Sequence, residues 1–144
     1  MGITWSQCFP PSPALIETNL PSQNGKVFIV TGGYSGIGFE LCRLLYGAGG
    51  TVYLAGRSEA KAVDAIANIK ISCTPTSPGG DIVFLPTSLD DLTTIKPAVD
   101  KFTNSESRLD ILFNNAGVAS PPRGSISAGD TICNWQPIAS DRIF

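Results

Sequence analysis

The sequence predicts an α/β fold with a doubly wound parallel sheet of four strands. Two observations carry this prediction. Continuous apolar runs, typical of strands buried on both faces, occupy residues 27–30, 51–55, 82–85 and 109–113. Segments with helical spacing of apolar residues lie between these runs, and such alternation of strand and helix indicates parallel strands joined by right-handed crossovers.

The first strand ends in the glycine-rich segment 31–38, Thr-Gly-Gly-Tyr-Ser-Gly-Ile-Gly. Glycines let the backbone turn sharply and approach a ligand, and the helix that follows presents unpaired N–H groups to an anion. We therefore expect a phosphate cradle, with a tight structural turn as the alternative. The segment is not typical of a nucleotide triphosphatase loop, because no Lys-Ser or Lys-Thr pair follows the glycines. The residues expected to contact the bound group are Gly32, Tyr34, Ser35, Gly36, Ile37 and Gly38.

The helices after the first two strands are predicted to cover the sheet with apolar stripes. A second helix is expected from a Ser58 cap to about Ile69, with Val63, Ile66 and Ala67 facing the sheet. For the first helix, the expected stripe consists of Ile37, Leu41, Leu44, Leu45 and Ala48.

A second motif follows the fourth strand, where ligands bind in an open parallel sheet. It reads Asn-Asn-Ala-Gly at residues 114–117; its glycine allows close approach, and its amides can hold neighbouring backbone and cofactor. Together with Thr-Gly-x-x-x-Gly-x-Gly at 31–38, it resembles the two signatures of the short-chain dehydrogenase/reductase family, over about residues 26–129. The resemblance looks closest to the fungal branch that is similar to retinol dehydrogenases. It implies a truncated Rossmann-type fold with cofactor contacts from Asn114, Asn115, Ala116 and Gly117.

The residue after the second strand is expected to determine whether NAD or NADP binds. In a dinucleotide fold this strand ends beside the adenosine ribose, and Arg57 stands there. A guanidinium can pair with a 2′-phosphate, whereas NAD favours an acidic residue at this position. Arg57 therefore predicts NADP, with a solvated arginine at a strand end as the alternative.

The third strand is followed by Pro-Thr-Ser-Leu, which includes Ser88 and Leu89. The resemblance implies an aspartate contacting adenine here, and Ser88 can accept the same hydrogen bond without a charge. We expect Ser88 and Leu89 to line the cofactor site. A third helix is predicted from about Asp90 or Asp91, starting later if Pro97 interrupts it. Its expected buried residues are Leu92, Ile95, Val99 and Phe102.

Composition excludes several classes of function. The net charge is −2 with no basic cluster, so no nucleic-acid surface is expected. Four widely spaced cysteines and no histidine argue against zinc and a disulfide scaffold, and indicate a reducing, cytoplasmic setting. No apolar run approaches the ~20 residues of a membrane span, and no secretion signal is evident.

The first 25 residues are expected to form an irregular, proline-rich arm. The start Met-Gly-Ile-Thr-Trp-Ser fits the pattern for N-myristoylation at Gly2, and Cys8 could take a second acyl chain. The alternative is an arm in which Trp5 and Phe9 pack on the domain. Residues 26–128 are then the NADP-binding half-domain.

The catalytic part of the family pattern is missing from the sequence. Family members use Tyr-x-x-x-Lys and a serine, with the tyrosine as general acid or base. The tyrosines here precede the fourth strand, and four residues beyond Tyr34, Tyr46 and Tyr53 stand two glycines and an arginine. The resemblance implies an NADP-dependent oxidoreductase that acts on a small carbonyl or alcohol in secondary metabolism. Because the Tyr-x-x-x-Lys pair is missing, we expect this chain to be a truncated and catalytically inactive form of such an enzyme. The alternatives are a non-enzymatic nucleotide-binding module and a non-functional gene product; the substrate is not readable.

The last residues, 129–144, depart from the family pattern. Residues 130–144 can be encoded so that reading two bases later gives Tyr-Asp-Leu-Gln-Leu-Ala-Thr-Asn-Cys-Leu-Gly-Pro-Tyr-Phe, which resembles the family's next helix. We therefore expect a frame change near Gly129, through mutation, a missed splice site or a sequencing error. The fourth strand then becomes an apolar sheet edge, and such an edge predicts self-association.

Overall fold

The structure, a computed structural model, describes residues 20–73 and 80–117. The predicted arm with its lipidation pattern lies almost wholly in 1–19, outside the described residues, as do the loop at 74–79 and the predicted frame-changed tail within 118–144. Within the described ranges, no helix is long and apolar enough to cross a membrane.

Four strands form one parallel sheet in the order β3-β2-β1-β4, which confirms the predicted fold class. The strands are β1 (Val27–Thr31), β2 (Thr51–Gly56), β3 (Ile82–Pro86) and β4 (Ile111–Phe113). The helices of the described chain are α1 (Gly36–Gly47), α2 (Glu59–Ser72) and α3 (Ile95–Ser105), with a 3₁₀ turn at Leu92–Thr94 before α3.

Helices cover both faces of the sheet, and each face has its own core. Strand residues alternate between the faces, so β1 gives Phe28 and Val30 to one core and Val27 to the other. The α1–α2 core contains Phe28, Val30, Cys42, Leu45, Tyr46, Val52, Leu54, Ala62, Ala65, Ile69 and Ile82. The α3 core contains Val27, Tyr53, Ala55, Leu85, Ala98 and Phe102.

The buried face of α1 differs from the predicted stripe. Leu45 is buried as expected, but Ile37 is 82% exposed, and Cys42 and Tyr46 fill the core instead. Ile37 belongs to the first turn of α1 and lies within the glycine segment, at the carboxyl edge of the sheet. The predicted place of Ile37 in the core is therefore wrong.

Helix α2 approaches the sheet through alanines rather than through its valine. Ala62 and Ala65 are buried, whereas Val63 is 56% exposed and Ala67 also faces solvent. Ala62, Ala65 and Ile69 lie three and four residues apart on the buried face of the helix, and Val63 lies outside this face. The predicted inward positions of Val63 and Ala67 are wrong.

Helix α3 begins after the 3₁₀ turn, later than residues 90–91. Pro97 is its third residue, where the missing N–H costs no intrahelical hydrogen bond. Phe102 is buried as predicted, but Ala98 faces the sheet, while Val99 and Leu92 are exposed. The predicted burial of Val99 and Leu92 is wrong. Val99 lies outside the face that Ala98 and Phe102 present to the sheet, and Leu92 lies in the 3₁₀ turn before the helix.

Strand β4 is shorter than the predicted run at 109–113, because Asp110 uses its side chain to pair with β1. The Val27 N–H donates to Asp110 Oδ2 at 2.8 Å, and the Asp110 N–H donates to Val27 O at 2.9 Å. The Arg108 guanidinium, followed by the Val27 N–H, holds the pKa of the Asp110 carboxyl below its usual range. A charged acceptor thus fixes the start of β4 against β1.

Candidate functional site

The predicted site residues follow the carboxyl ends of the strands, at one edge of the sheet. The glycine segment 31–38 follows β1, Arg57 follows β2, Ser88 follows β3, and 114–117 follows β4. Because β1 lies between β2 and β4, the chain leaves β1 in one direction and returns on its other side, which makes a topological switch point. Open α/β sheets bind ligands in the crevice at such a point.

Thr31 joins the two sequence motifs. Its Oγ1 donates to Phe113 O at 3.3 Å and accepts from the N–H groups of Asn115 at 3.0 Å and Ala116 at 2.9 Å. The Asn115 amide returns a hydrogen bond from Nδ2 to Thr31 O at 3.1 Å. These four hydrogen bonds hold the segment after β4 against the end of β1.

Two glycines allow the motifs to touch. A Cβ on Gly38 would lie 2.5 Å from Asn115 Nδ2 and 2.6 Å from Gly32 O, closer than real Cβ contacts. Gly32 has a φ of 68°, and a Cβ there would lie 3.2 Å from Ala116 Cα. The backbone of the glycine segment therefore packs directly on residues 115 and 116.

A third glycine faces open space. Gly36 has a φ of 57°, in the left-handed region that favours glycine, and nothing lies within 4 Å of where its Cβ would be. The packing of the protein does not require a glycine at this place, while the backbone conformation does. Such an open, left-handed glycine at a helix start leaves room for a ligand to approach the backbone.

The N-terminus of α1 is left uncapped by side chains. Ser35 is the N-cap residue, but its hydroxyl makes no capping hydrogen bond, and the first turn carries no acidic residue. The first N–H groups of a helix have no intrahelical partner and carry partial positive charge. The start of α1 thus keeps its capacity to bind an anion.

Tyr34 connects the glycine segment to the end of β2. A Cβ on Gly56 would lie 2.5 Å from Cε1 of the Tyr34 ring, so the ring covers Gly56 directly before Arg57. Beside this contact is a cavity of about 350 Å³ between the glycine segment and α2. Its lining residues are Tyr34, Ser35, Phe39, Lys61, Asp64, Ala65 and Asn68.

Arg57 and Ser88 meet through a residue that sequence reasoning missed, Asp90. Arg57 Nη1 lies 3.6 Å from Asp90 Oδ2, and the Ser88 hydroxyl donates a hydrogen bond to Asp90 Oδ1. The sequence interpretation assigned Asp90 to a helix start, whereas it lies in the turn after β3. Leu89, between the two, is about half exposed. The carboxylate absent at Ser88 is thus present two residues later.

Two of the three tyrosines, Tyr46 and Tyr53, lie in the cores away from the candidate site. Tyr46 is buried in the α1–α2 core, and Tyr53 packs edge-to-face on Phe102 and donates to Glu106 Oε1 at 3.0 Å. Burial and the hydrogen bond to Glu106 raise the pKa of Tyr53 to about 12, so it stays protonated. In the described part of the chain, no group of His, Cys, Asp and Glu could hold a metal ion.

Comparison with known proteins agrees with this fold. Residues 26–133 match the family model described as short chain dehydrogenase. A short-chain dehydrogenase/reductase of Phomopsis amygdali is 50% identical over 117 residues, covering 81% of this chain and 34% of the relative. The short-chain dehydrogenase/reductase iacJ of Pestalotiopsis fici is 48% identical over 126 residues, covering 85% of this chain and 38% of the relative. The chain spans little more than a third of the length of these relatives.

Solved structures share the architecture. The L-sorbose reductase of Gluconobacter frateurii, complexed with NADPH and L-sorbose, has a TM-score of 0.59 at 25% identity, over 69% of this chain and 36% of that chain. RhlG of Pseudomonas aeruginosa, in a complex with NADP, has a TM-score of 0.58 at 29% identity, over 67% of this chain and 36% of that chain.

Proposed function

Because the chain belongs to the short-chain dehydrogenase family, we propose that it binds NADP at the carboxyl edge of the sheet and serves hydride transfer to or from a small carbonyl or alcohol. The observation that carries this proposal is the contact between the two motifs. Thr31 and Asn115 are joined by hydrogen bonds, and the absence of a side chain at Gly38 lets the Asn115 amide pack against the glycine segment. This contact builds an open phosphate cradle at the start of α1.

The residues present fit the cofactor. Gly36 and the uncapped start of α1 offer backbone N–H groups to the pyrophosphate, with room for close approach. Arg57 offers a guanidinium to the 2′-phosphate, and we assign further cofactor contacts to Tyr34 and Ser35 of the glycine segment. We assign the adenine side of the site to Ser88 and Leu89, and the remaining cofactor contacts to Gly32, Ile37, Gly38, Asn114, Asn115, Ala116 and Gly117.

When bound, the cofactor supplies a hydride donor or acceptor, and the residues of this chain hold and orient it. We further propose that proton transfer needs groups this sequence does not contain. It has no Tyr-x-x-x-Lys pair, Tyr53 is buried with a raised pKa, and the chain spans about a third of its relatives. A polypeptide of these 144 residues is therefore proposed to bind NADP without turnover, which also suits a nucleotide-binding module.

Arg57→Ala tests the proposed function. NADPH affinity should fall about tenfold to a hundredfold, because a hydrogen bond to a charged group is worth ~1.5–3 kcal/mol, while NADH affinity stays the same. Titration calorimetry with both nucleotides measures this. Lys96→Ala is the control, since it removes a positive charge from a side chain that is 87% exposed on α3. Equal binding of NADPH and NADH by the unaltered protein would refute the NADP assignment.

We also propose self-association through β4. Within the described residues β4 pairs only with β1, and Ile111 and Leu112 are 45% and 49% exposed. An apolar strand edge invites pairing with another chain, and a lysine on the edge opposes it. Sedimentation velocity of the 144-residue polypeptide should show oligomers, and Leu112→Lys should shift them toward monomer. A monodisperse monomer before the substitution contradicts this proposal.

A further inference from the structure

The Arg57–Asp90 ion pair connects loops that leave neighbouring strands. Arg57 follows β2 and Asp90 follows β3, with 3.6 Å between Nη1 and Oδ2. Their side chains are 67% and 50% exposed, so a ligand can reach both from solvent. The guanidinium assigned to the 2′-phosphate therefore already faces a carboxylate of the same protein.

Asp90 is held in place by its own loop. The Ser88 hydroxyl donates to Asp90, and Thr94 Oγ1 fixes Ser88 by accepting from its N–H at 2.9 Å and donating to its carbonyl at 2.9 Å. The Ser88 hydrogen bond, and to a smaller extent the charge of Arg57, keep the pKa of Asp90 below its usual range. The carboxylate is thus ionised at neutral pH and directed toward Arg57.

We propose that Asp90 is a specificity-determining residue: it competes with the 2′-phosphate of NADP for Arg57 and so limits the preference for NADP over NAD. The inference rests on the proposed NADP-binding function. A 2′-phosphate must displace the carboxylate or share the guanidinium with it, and the two anions repel. The ribose hydroxyl of NAD carries no charge there and can donate a hydrogen bond to a carboxylate.

Asp90→Asn tests the competition, because it keeps the size of the side chain and removes its charge. The dissociation constant of NADPH should fall about twofold to fivefold, since exposed charge pairs change an equilibrium by modest factors. NADH affinity should stay the same or weaken. The gain should shrink as salt is added, because salt screens exposed charges. Fluorescence titration with NADPH and NADH measures these affinities.

Asp100→Asn is the matched control. It removes the same charge from α3, where Asp100 is 60% exposed and lies 4.0 Å from Lys96, so NADPH affinity should stay within twofold. Asp90→Ala should also raise NADPH affinity. This second variant shows whether the effect of Asp90→Asn comes from the lost charge or from the new amide group. Circular dichroism and urea unfolding identify any variant that has lost its fold.

The double variant Arg57→Ala/Asp90→Asn separates this inference from the proposed function. If the two residues compete as proposed, removal of the Asp90 charge gains less NADPH affinity when Arg57 is absent. Two results would overturn the competition and leave the NADP assignment intact. One is an equal gain in NADPH affinity from Asp90→Asn with and without Arg57. The other is no gain from Asp90→Asn while Arg57→Ala still lowers NADPH affinity. If Arg57→Ala leaves the ratio of NADPH to NADH affinity unchanged, the NADP assignment fails and the inference fails with it.

Discussion

Gly38→Ala is expected to destabilise the fold by about 2–4 kcal/mol and to reduce NADPH affinity at least about tenfold. The added Cβ would lie 2.5 Å from Asn115 Nδ2 and 2.6 Å from Gly32 O. The Asn115 side chain could move only by losing its hydrogen bond to Thr31 O, and the Gly32 carbonyl belongs to the backbone of the cradle itself. The substitution therefore strains both motifs at once.

Urea unfolding and NADPH titration together measure this effect. Gly25→Ala is the matched control: Gly25 has a φ of 71° and no atom within 4 Å of its Cβ position, so it should lose only about 1 kcal/mol through backbone strain. Gly25 precedes β1, away from the carboxyl edge, so NADPH affinity should be retained. If Gly38→Ala keeps both stability and affinity, the two motifs do not pack on each other as described.

The sheet could be predicted from the sequence because its strands are buried on both faces. Each strand is then a continuous apolar run, as in 51–55, and the glycine segment marks where the first strand ends. The family resemblance implies a sheet with the first strand in the centre, the second and third on one side of it and the fourth on the other, and the structure has this order. The start of β4 was less predictable, because the Asp110 side chain takes over pairing that a strand backbone would make.

The helix faces could not be predicted as well, because more than one set of apolar residues has helical spacing in the same segment. In α2, Val63, Ile66 and Ala67 form one such set, whereas the structure buries the set Ala62, Ala65 and Ile69. Asp90 was missed for another reason. Its partner Arg57 is distant in sequence and follows a different strand, so only the folded sheet brings the two together.

Thr31 shows the same limit at the centre of the site, because its role depends on residues more than 80 positions away. As a part of the first motif it looks like the last residue of a strand. In the fold, its hydroxyl satisfies one carbonyl and two N–H groups of the segment after β4. A threonine, unlike a valine of the same shape, can both donate and accept there.

Thr31→Val should therefore destabilise the fold by about 3 kcal/mol, because it keeps the packing but removes a buried hydroxyl that makes three hydrogen bonds. NADPH affinity should fall about tenfold or more as residues 115 and 116 lose their anchor. Thr31→Ser is the matched control: it restores the hydroxyl and should keep affinity within about threefold, with a small loss of stability from the missing methyl. Urea unfolding and NADPH titration compare the two variants. If valine and serine behave alike, the hydroxyl does not hold the motifs together, and the role assigned to Thr31 is wrong.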